Sequence, residues 1–207
     1  MTIVVERNGR KFMVQNFKIN RNDIKKQITE IYGKVVYSHT THLNSAYILE
    51  KENQILKWAI IILSAINACG LITAICGVET KIFLIISACI STLLFALTAY
   101  QKAANLENQI ILHSKTANEL WKIREEYLSL LTDFSSLEDE KICERRDRLL
   151  EKLDLIYRHE PLTGSMAYKK AQKALKKDEE QFFSDDELNK MLPAYLRKDC
   201  NDKKHDQ

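Results

Sequence analysis

Four polar residues sit where an apolar sequence seldom places them. Asn67, Ser87, Ser91 and Thr92 lie inside a block, Trp58 to Tyr100, whose only charges are Glu79 and Lys81. In apolar surroundings an amide and a set of hydroxyls can do one of two things. They hydrogen-bond one another across packed helices, or they line a path for water and ions. Two histidines one helical turn apart, His39 and His42 in HTTH, could share a metal ion. No third ligand accompanies them, and the spacing reads as seam or surface residues rather than a metal site. Cys69, Cys76 and Cys89 lie in the block, Cys143 and Cys200 outside it, and none forms a C-x-x-C pair. They read as free thiols in a reducing compartment. There is no Gly-rich phosphate loop, no H-E-x-x-H and no G-x-S-x-G. The residues therefore assign no enzymatic reaction, no cofactor and no metal.

The block itself decides how these residues must be positioned. Trp58–Val78 is 21 residues without a charge, and Ile82–Tyr100 is 19. As helices rising about 1.5 Å per residue, each reaches roughly 30 Å, the thickness of a bilayer's hydrocarbon core. The connection, around Gly77, Glu79, Thr80 and Lys81, is too short for a domain. Both flanks must then lie on one side of the membrane. The first span begins too late for a signal peptide. Lys51, Lys57, Lys102 and Lys115 border the open ends against Lys81 in the turn, which puts both termini in the cytoplasm. Trp58 and Tyr100 come to the same interface as aromatic anchors. In an antiparallel hairpin Asn67 falls level with Ser91 and Thr92. Ala65, Cys69 and Thr73, and Gly70 with Ala74, are small residues four apart that let the helices approach closely.

The flanks are polar and mostly helical. Asn8-Gly9 between two alternating β-prone runs predicts a type I′ hairpin, with Arg7 opposite Arg10, Glu6 opposite Lys11 and Val5 opposite Phe12. From Asn22, a plausible N-cap, an apolar stripe runs through Ile24, Ile28, Ile31, Val35, Ala46, Leu49 and Leu56 straight into the first span. The second span likewise continues without a break through Leu106, Ile110, His113, Ala117, Leu120, Arg124, Tyr127, Leu131 and Phe134. This is a heptad seam whose polar interruptions are His113 and Arg124. The stripe over 24–56 is its natural partner. Leu106, Ile110, His113, Leu120, Arg124 and Tyr127 are also candidates for a seam between copies. Ser135 with Glu138 predicts a capping box opening a helix to about His159. A turn holding Pro161 and Gly164 leads to a helix over 166–177, and Ser184 with Glu187 predicts a second box before Pro193.

The expected organisation is a β-hairpin at 1–20, a lead-in helix at 21–57, a transmembrane hairpin at 58–100 (spans 58–78 and 82–100), a cytoplasmic bundle at 101–196 and a disordered tail at 197–207. The fold class is an all-α membrane protein: a two-span helical hairpin continuous with a cytoplasmic helical bundle, plus the short N-terminal β-hairpin. Net charge is +3 and mean hydropathy −0.28, which gives no global case for nucleic-acid binding. Lys169, Lys170, Lys173, Lys176 and Lys177 form a basic cluster open to anionic lipid. The acids at 179–187 stand close enough to neutralise it instead.

The lead-in SHTTHLNSAYILEKENQILKW, two spans with a minimal turn, a long helix out and the segment YRHEPLTGSMAYKKAQKAL together resemble the SLATT families. These are bacterial two-span membrane effectors of conflict systems. Pro161, Thr163, Tyr168 and Ala171 are most similar to the fifth SLATT subfamily. The likeness covers roughly residues 20–180 and leaves out the N-terminal ribbon. It implies an effector in the bacterial inner membrane that forms homo-oligomers on an infection signal, makes a pore, and kills or arrests the cell. It also implies a nucleotide-messenger synthase, a nucleotide sensor or a reverse transcriptase encoded nearby as partner. No catalytic residue carries over. The other reading of the residues is a membrane-anchored adaptor whose helical bundle binds a partner protein.

Overall fold

The computed structural model describes residues 20–75 (71–75 as backbone), 81–178, and positions 184, 187, 188 and 191, with the backbone of 3–7 and 10–14. Strands β1 (Ile3–Arg7) and β2 (Arg10–Val14) pair antiparallel, with Arg7 opposite Arg10, Glu6 opposite Lys11 and Val5 opposite Phe12. The Asn8-Gly9 turn, the hairpin connection at 76–80, the acids at 179–180 and 185–186, Pro193 and the tail at 197–207 lie outside the described residues.

Helix α1 (Arg21–Ile75) runs unbroken for 55 residues, about 80 Å. It carries the lead-in stripe and the first apolar segment on one rod. Its start differs from the sequence expectation. Asn20, not Asn22, closes the N-terminus: its side-chain Oδ1 accepts the Asn22 backbone N–H at 3.1 Å, and its carbonyl accepts those of Asp23 and Ile24. Asn22 is already inside the helix, which begins at Arg21.

The second apolar segment is α2 (Lys81–Ala104), followed by α3 (Leu106–Thr132). The expected seamless continuation is interrupted. Asn105 adopts φ 46° and ψ 44°, a left-handed conformation that asparagine tolerates better than most residues. The Gln109 side chain donates to the Ala104 carbonyl at 2.9 Å, satisfying an acceptor that the break exposes. Heptad spacing cannot reveal such a break, since it leaves the period intact on either side.

Helix α4 (Asp139–His159) folds back on α3 after a short 3-10 turn at Asp133–Ser135. The expected Ser135–Glu138 capping box does not form: the cap residue Glu138 makes no side-chain capping bond. Arg21 does the joining instead. Its guanidinium donates to the Phe134 carbonyl, to the Leu137 carbonyl at 2.9 Å and to Asp139 Oδ1 at 2.7 Å. Helix α5 (Ser165–Lys176) follows the Pro161–Gly164 turn and lays Ala167, Ala171, Ala174 and Leu175 against its neighbours. The second box is formed: Ser184 N–H and Oγ both donate to Glu187 Oε2, at 2.8 and 3.0 Å.

The bundle is layered along α1. Farthest from the apolar segments, Ile24, Ile28 and Val35 meet Leu120, Ile123, Tyr127 and Leu130 of α3 and Ile142, Leu149 and Leu153 of α4. Full burial of each large apolar chain stabilises by about 1.5–3 kcal/mol, so this layer anchors the fold. A polar layer follows at His39–Ser45 and His113–Thr116. Then come Ala46, Asn53, Leu56 and Leu106, and finally the apolar hairpin. There, Tyr100 donates to Glu52 at 2.7 Å and Lys57 pairs with Glu107 at 2.6 Å, so the ends of the two apolar segments are level.

Candidate functional site

The hairpin has no core of its own. Ile61, Ile62 and Ile66 of α1 and Ile82, Phe83, Leu84, Ile85, Ile86, Leu93 and Phe95 of α2 are exposed, Phe95 by 77%. Among the described residues one helix, beginning at Lys81, is long and apolar enough to cross a membrane. Inside this surface the polar residues find each other. Ser87 Oγ donates to Asn67 Oδ1 at 2.7 Å, and Asn67 Nδ2 donates to Ser91 Oγ at 3.1 Å. Ser87 and Ser91 are one turn apart, so both face the amide. Ser87 is the buried residue of α2. Thr92 does not join them. Its hydroxyl donates to the Ala88 carbonyl of its own helix at 3.0 Å, the local bond that a threonine makes when no partner is opposite.

The second polar site is the layer in the bundle. His42 Nδ1 lies 2.9 Å from His113 Nδ1, and His42 Nε2 lies 3.3 Å from Glu160 Oε2. His39 Nδ1–H donates to the Ala117 carbonyl at 2.9 Å. Two facing Nδ1 atoms require one N–H and one bare lone pair. With Glu160 ionised, the arrangement that satisfies every atom runs His113 N–H to His42, then His42 N–H to Glu160. Burial holds all three imidazoles neutral. His42 is pushed down to about 4 by burial first, then by His113 and His39. His39 is lowered chiefly by burial, against the pull of its Ala117 bond, and His113 by burial. Burial raises Glu160. Beside this chain is a cleft of about 120 Å³ lined by Tyr37, Ser38, Thr41, His42, Glu160, Thr163 and Tyr168. It is smaller than the roughly 300 Å³ at which small-molecule sites begin. Among the described residues no group of three or more His, Cys, Asp or Glu could hold a metal ion.

Of the candidate seam residues, Leu106, His113, Leu120 and Tyr127 are buried within the chain's own bundle; Ile110 and Arg124 are partly buried. The stripe serves the fold of one chain, and its use between copies would require α1 to leave. The Tyr127 hydroxyl is buried with no hydrogen-bond partner among the described residues, and burial pushes it up to about 12. Sequence reading set His39 and His42 aside and treated His113 as an interruption. The signal that joins them was present: polar residues interrupt both partner stripes at heights that pair. Nothing in the sequence pointed to Glu160.

Two exposed apolar helical segments, joined to each other through Asn67, Ser87 and Ser91 and continuous with a helical bundle, suit a protein that associates with a membrane. The family model for the SMODS and SLOG-associating 2TM effector domain family 4 matches residues 24–187. The chain belongs to this SLATT family; the tail pattern had suggested the fifth subfamily, and the matching model is the fourth. No curated protein and no solved structure matches the chain.

Proposed function

We propose that this chain is an inner-membrane effector of a bacterial defence system, which oligomerises on an infection signal and opens a polar path through the bilayer. The observation that carries the reading is the Asn67–Ser87–Ser91 cluster at mid-height of an otherwise exposed apolar hairpin. Membership of a two-span effector family supports it. Both spans cross the membrane and both termini lie in the cytoplasm. A single hairpin has no interior, so a path needs several copies. Interhelical hydrogen bonds in membranes are worth about 0.6 kcal/mol each. Exchanging the two bonds at Asn67 for bonds to water or a neighbouring copy therefore costs little, while the greasy faces keep each hairpin inserted. The cytoplasmic bundle holds the resting arrangement, and a nucleotide-messenger synthase, nucleotide sensor or reverse transcriptase encoded nearby supplies the signal. No enzymatic step is assigned to the chain.

Inducible overexpression should depolarise the inner membrane, read with a potential-sensitive dye, and Asn67→Leu at matched expression should reduce the effect. Unchanged potential at confirmed expression would overturn the reading. One observation favours a tethered adaptor instead: the Asn67 amide is already bonded within its own chain. Exchanging the hairpin for an unrelated two-span anchor separates the two, because an adaptor keeps its activity and a pore-former loses it.

A further inference from the structure

The basic face of α5 carries charge that neither polar site uses. Lys169, Lys170, Lys173, Lys176 and Lys177 are all exposed, opposite the buried Ala167, Ala171, Ala174 and Leu175. Among the described residues, only Lys173 of the five has a carboxylate partner, Asp178 at 3.8 Å. The direction of the helix follows from its contacts. Thr163 and Tyr168 lie beside Tyr37, Ser38 and Thr41, with the Tyr37 and Tyr168 rings 6.3 Å apart. Two residues on, Lys170 reaches the Tyr47 ring at 5.7 Å, a ring that Lys51 also covers at 4.6 Å. Thus α5 ascends alongside α1 toward the apolar hairpin.

The rise per residue places its end. Tyr47 stands about 16 Å short of Trp58 along α1, and Lys177 stands about 10 Å beyond Lys170 along α5. Lys176 and Lys177 thereby come within about one screening length, roughly 8–10 Å, of the interface. Lys51, over the same Tyr47 ring as Lys170, extends this positive surface onto α1. We infer that α5 is a membrane-facing strut whose lysines bind the anionic headgroups around the hairpin, fixing the bundle's height and tilt on the bilayer. The occupant is a lipid surface because the charge lies on the side of α5 away from the core and climbs toward the hydrocarbon. The inference rests on the reading that the hairpin is inserted.

The test uses the full chain in nanodiscs of neutral phosphatidylcholine or of phosphatidylcholine with phosphatidylglycerol, following trypsin cleavage within 169–177. Co-elution with both discs checks insertion separately, so a chain that fails to enter either disc counts against the hairpin rather than the strut. Cleavage should slow about tenfold in the anionic discs, since each lysine near such a surface contributes measurably. The protection should vanish near 1 M salt, where screening shortens to about 3 Å. Lys173→Glu with Lys176→Glu should remove it while leaving cleavage elsewhere unchanged, and the salt titration of the unaltered chain stands alone if that variant misfolds. Equal cleavage in both lipids would overturn the inference. So would protection that appears in neutral discs on adding RNA or DNA and is absent with anionic lipid.

Discussion

His42 is the residue on which the bundle's response to acid turns. Each imidazole of the polar layer is held below its ordinary value in the fold. As pH falls through about 6.5, the unfolded chain takes up protons first. Stability is therefore fully present above that pH and drains away toward about 4, where His42 protonates in place. Glu160, raised by burial, works the other way: it favours the fold in acid, and that contribution is lost as pH rises through its elevated value. One carboxylate against three imidazoles leaves a net loss on acidification, with the Arg124 charge near His39 adding to it. Thermal unfolding in detergent should thus fall steeply between pH 6.5 and 4, and His42→Leu with His113→Leu should flatten that slope. His42→Ala alone should cost about 1–3 kcal/mol at neutral pH, the penalty of leaving buried partners unsatisfied. The histidines were legible in the sequence as types, and Asn67 opposite Ser91 was legible as facing positions, whereas the place of Ser87 at the same amide and the turning away of Thr92 were not. Nor was the pairing of the histidines with Glu160, because it depends on how α4 ends beside α1.

Among the elements, the breaks and joints carry more information than the rods. The long rods were readable from their stripes: an apolar face over 24–56 and another from Leu106, each with polar interruptions, needed only the 3.6-residue period. The joints were not, because they are made by contacts distant in sequence. Arg21, at the first turn of α1, ties down carbonyls at Phe134 and Leu137 and the carboxylate of Asp139, while its guanidinium covers the Phe134 ring at 5.1 Å. It thereby replaces the capping box that Ser135 and Glu138 spell in sequence. Arg21→Lys should destabilise the α1–α4 junction by about 1–2 kcal/mol in denaturant unfolding, since an ammonium cannot span that fork; the partial exposure of the ion pair keeps the figure from being larger. Asn105 is the other joint. Its left-handed backbone should accept glycine at no loss and up to about 1 kcal/mol of gain. Asn105→Ile should favour fusion of α2 with α3 and lower stability, measurable by thermal unfolding with helical content followed in parallel.

For the whole molecule, one division of labour organises everything else. A layered bundle of α1, α3, α4 and α5 buries apolar chains against one another, whereas the hairpin of α1 and α2 leaves its apolar chains uncovered. A surface of that kind is not stable in water and finds its solvent in lipid. This contrast was the most readable feature of the sequence, because it needs only the absence of charge over two long runs. Its direct test is topology in the cell, with trypsin applied to intact spheroplasts and to inverted inner-membrane vesicles. Sites on both flanks, Lys26 in α1 and Lys141 in α4, are exposed and should be cut in inverted vesicles and spared in spheroplasts. Cleavage of either flank from outside, or recovery of the chain in the soluble fraction, would contradict the account.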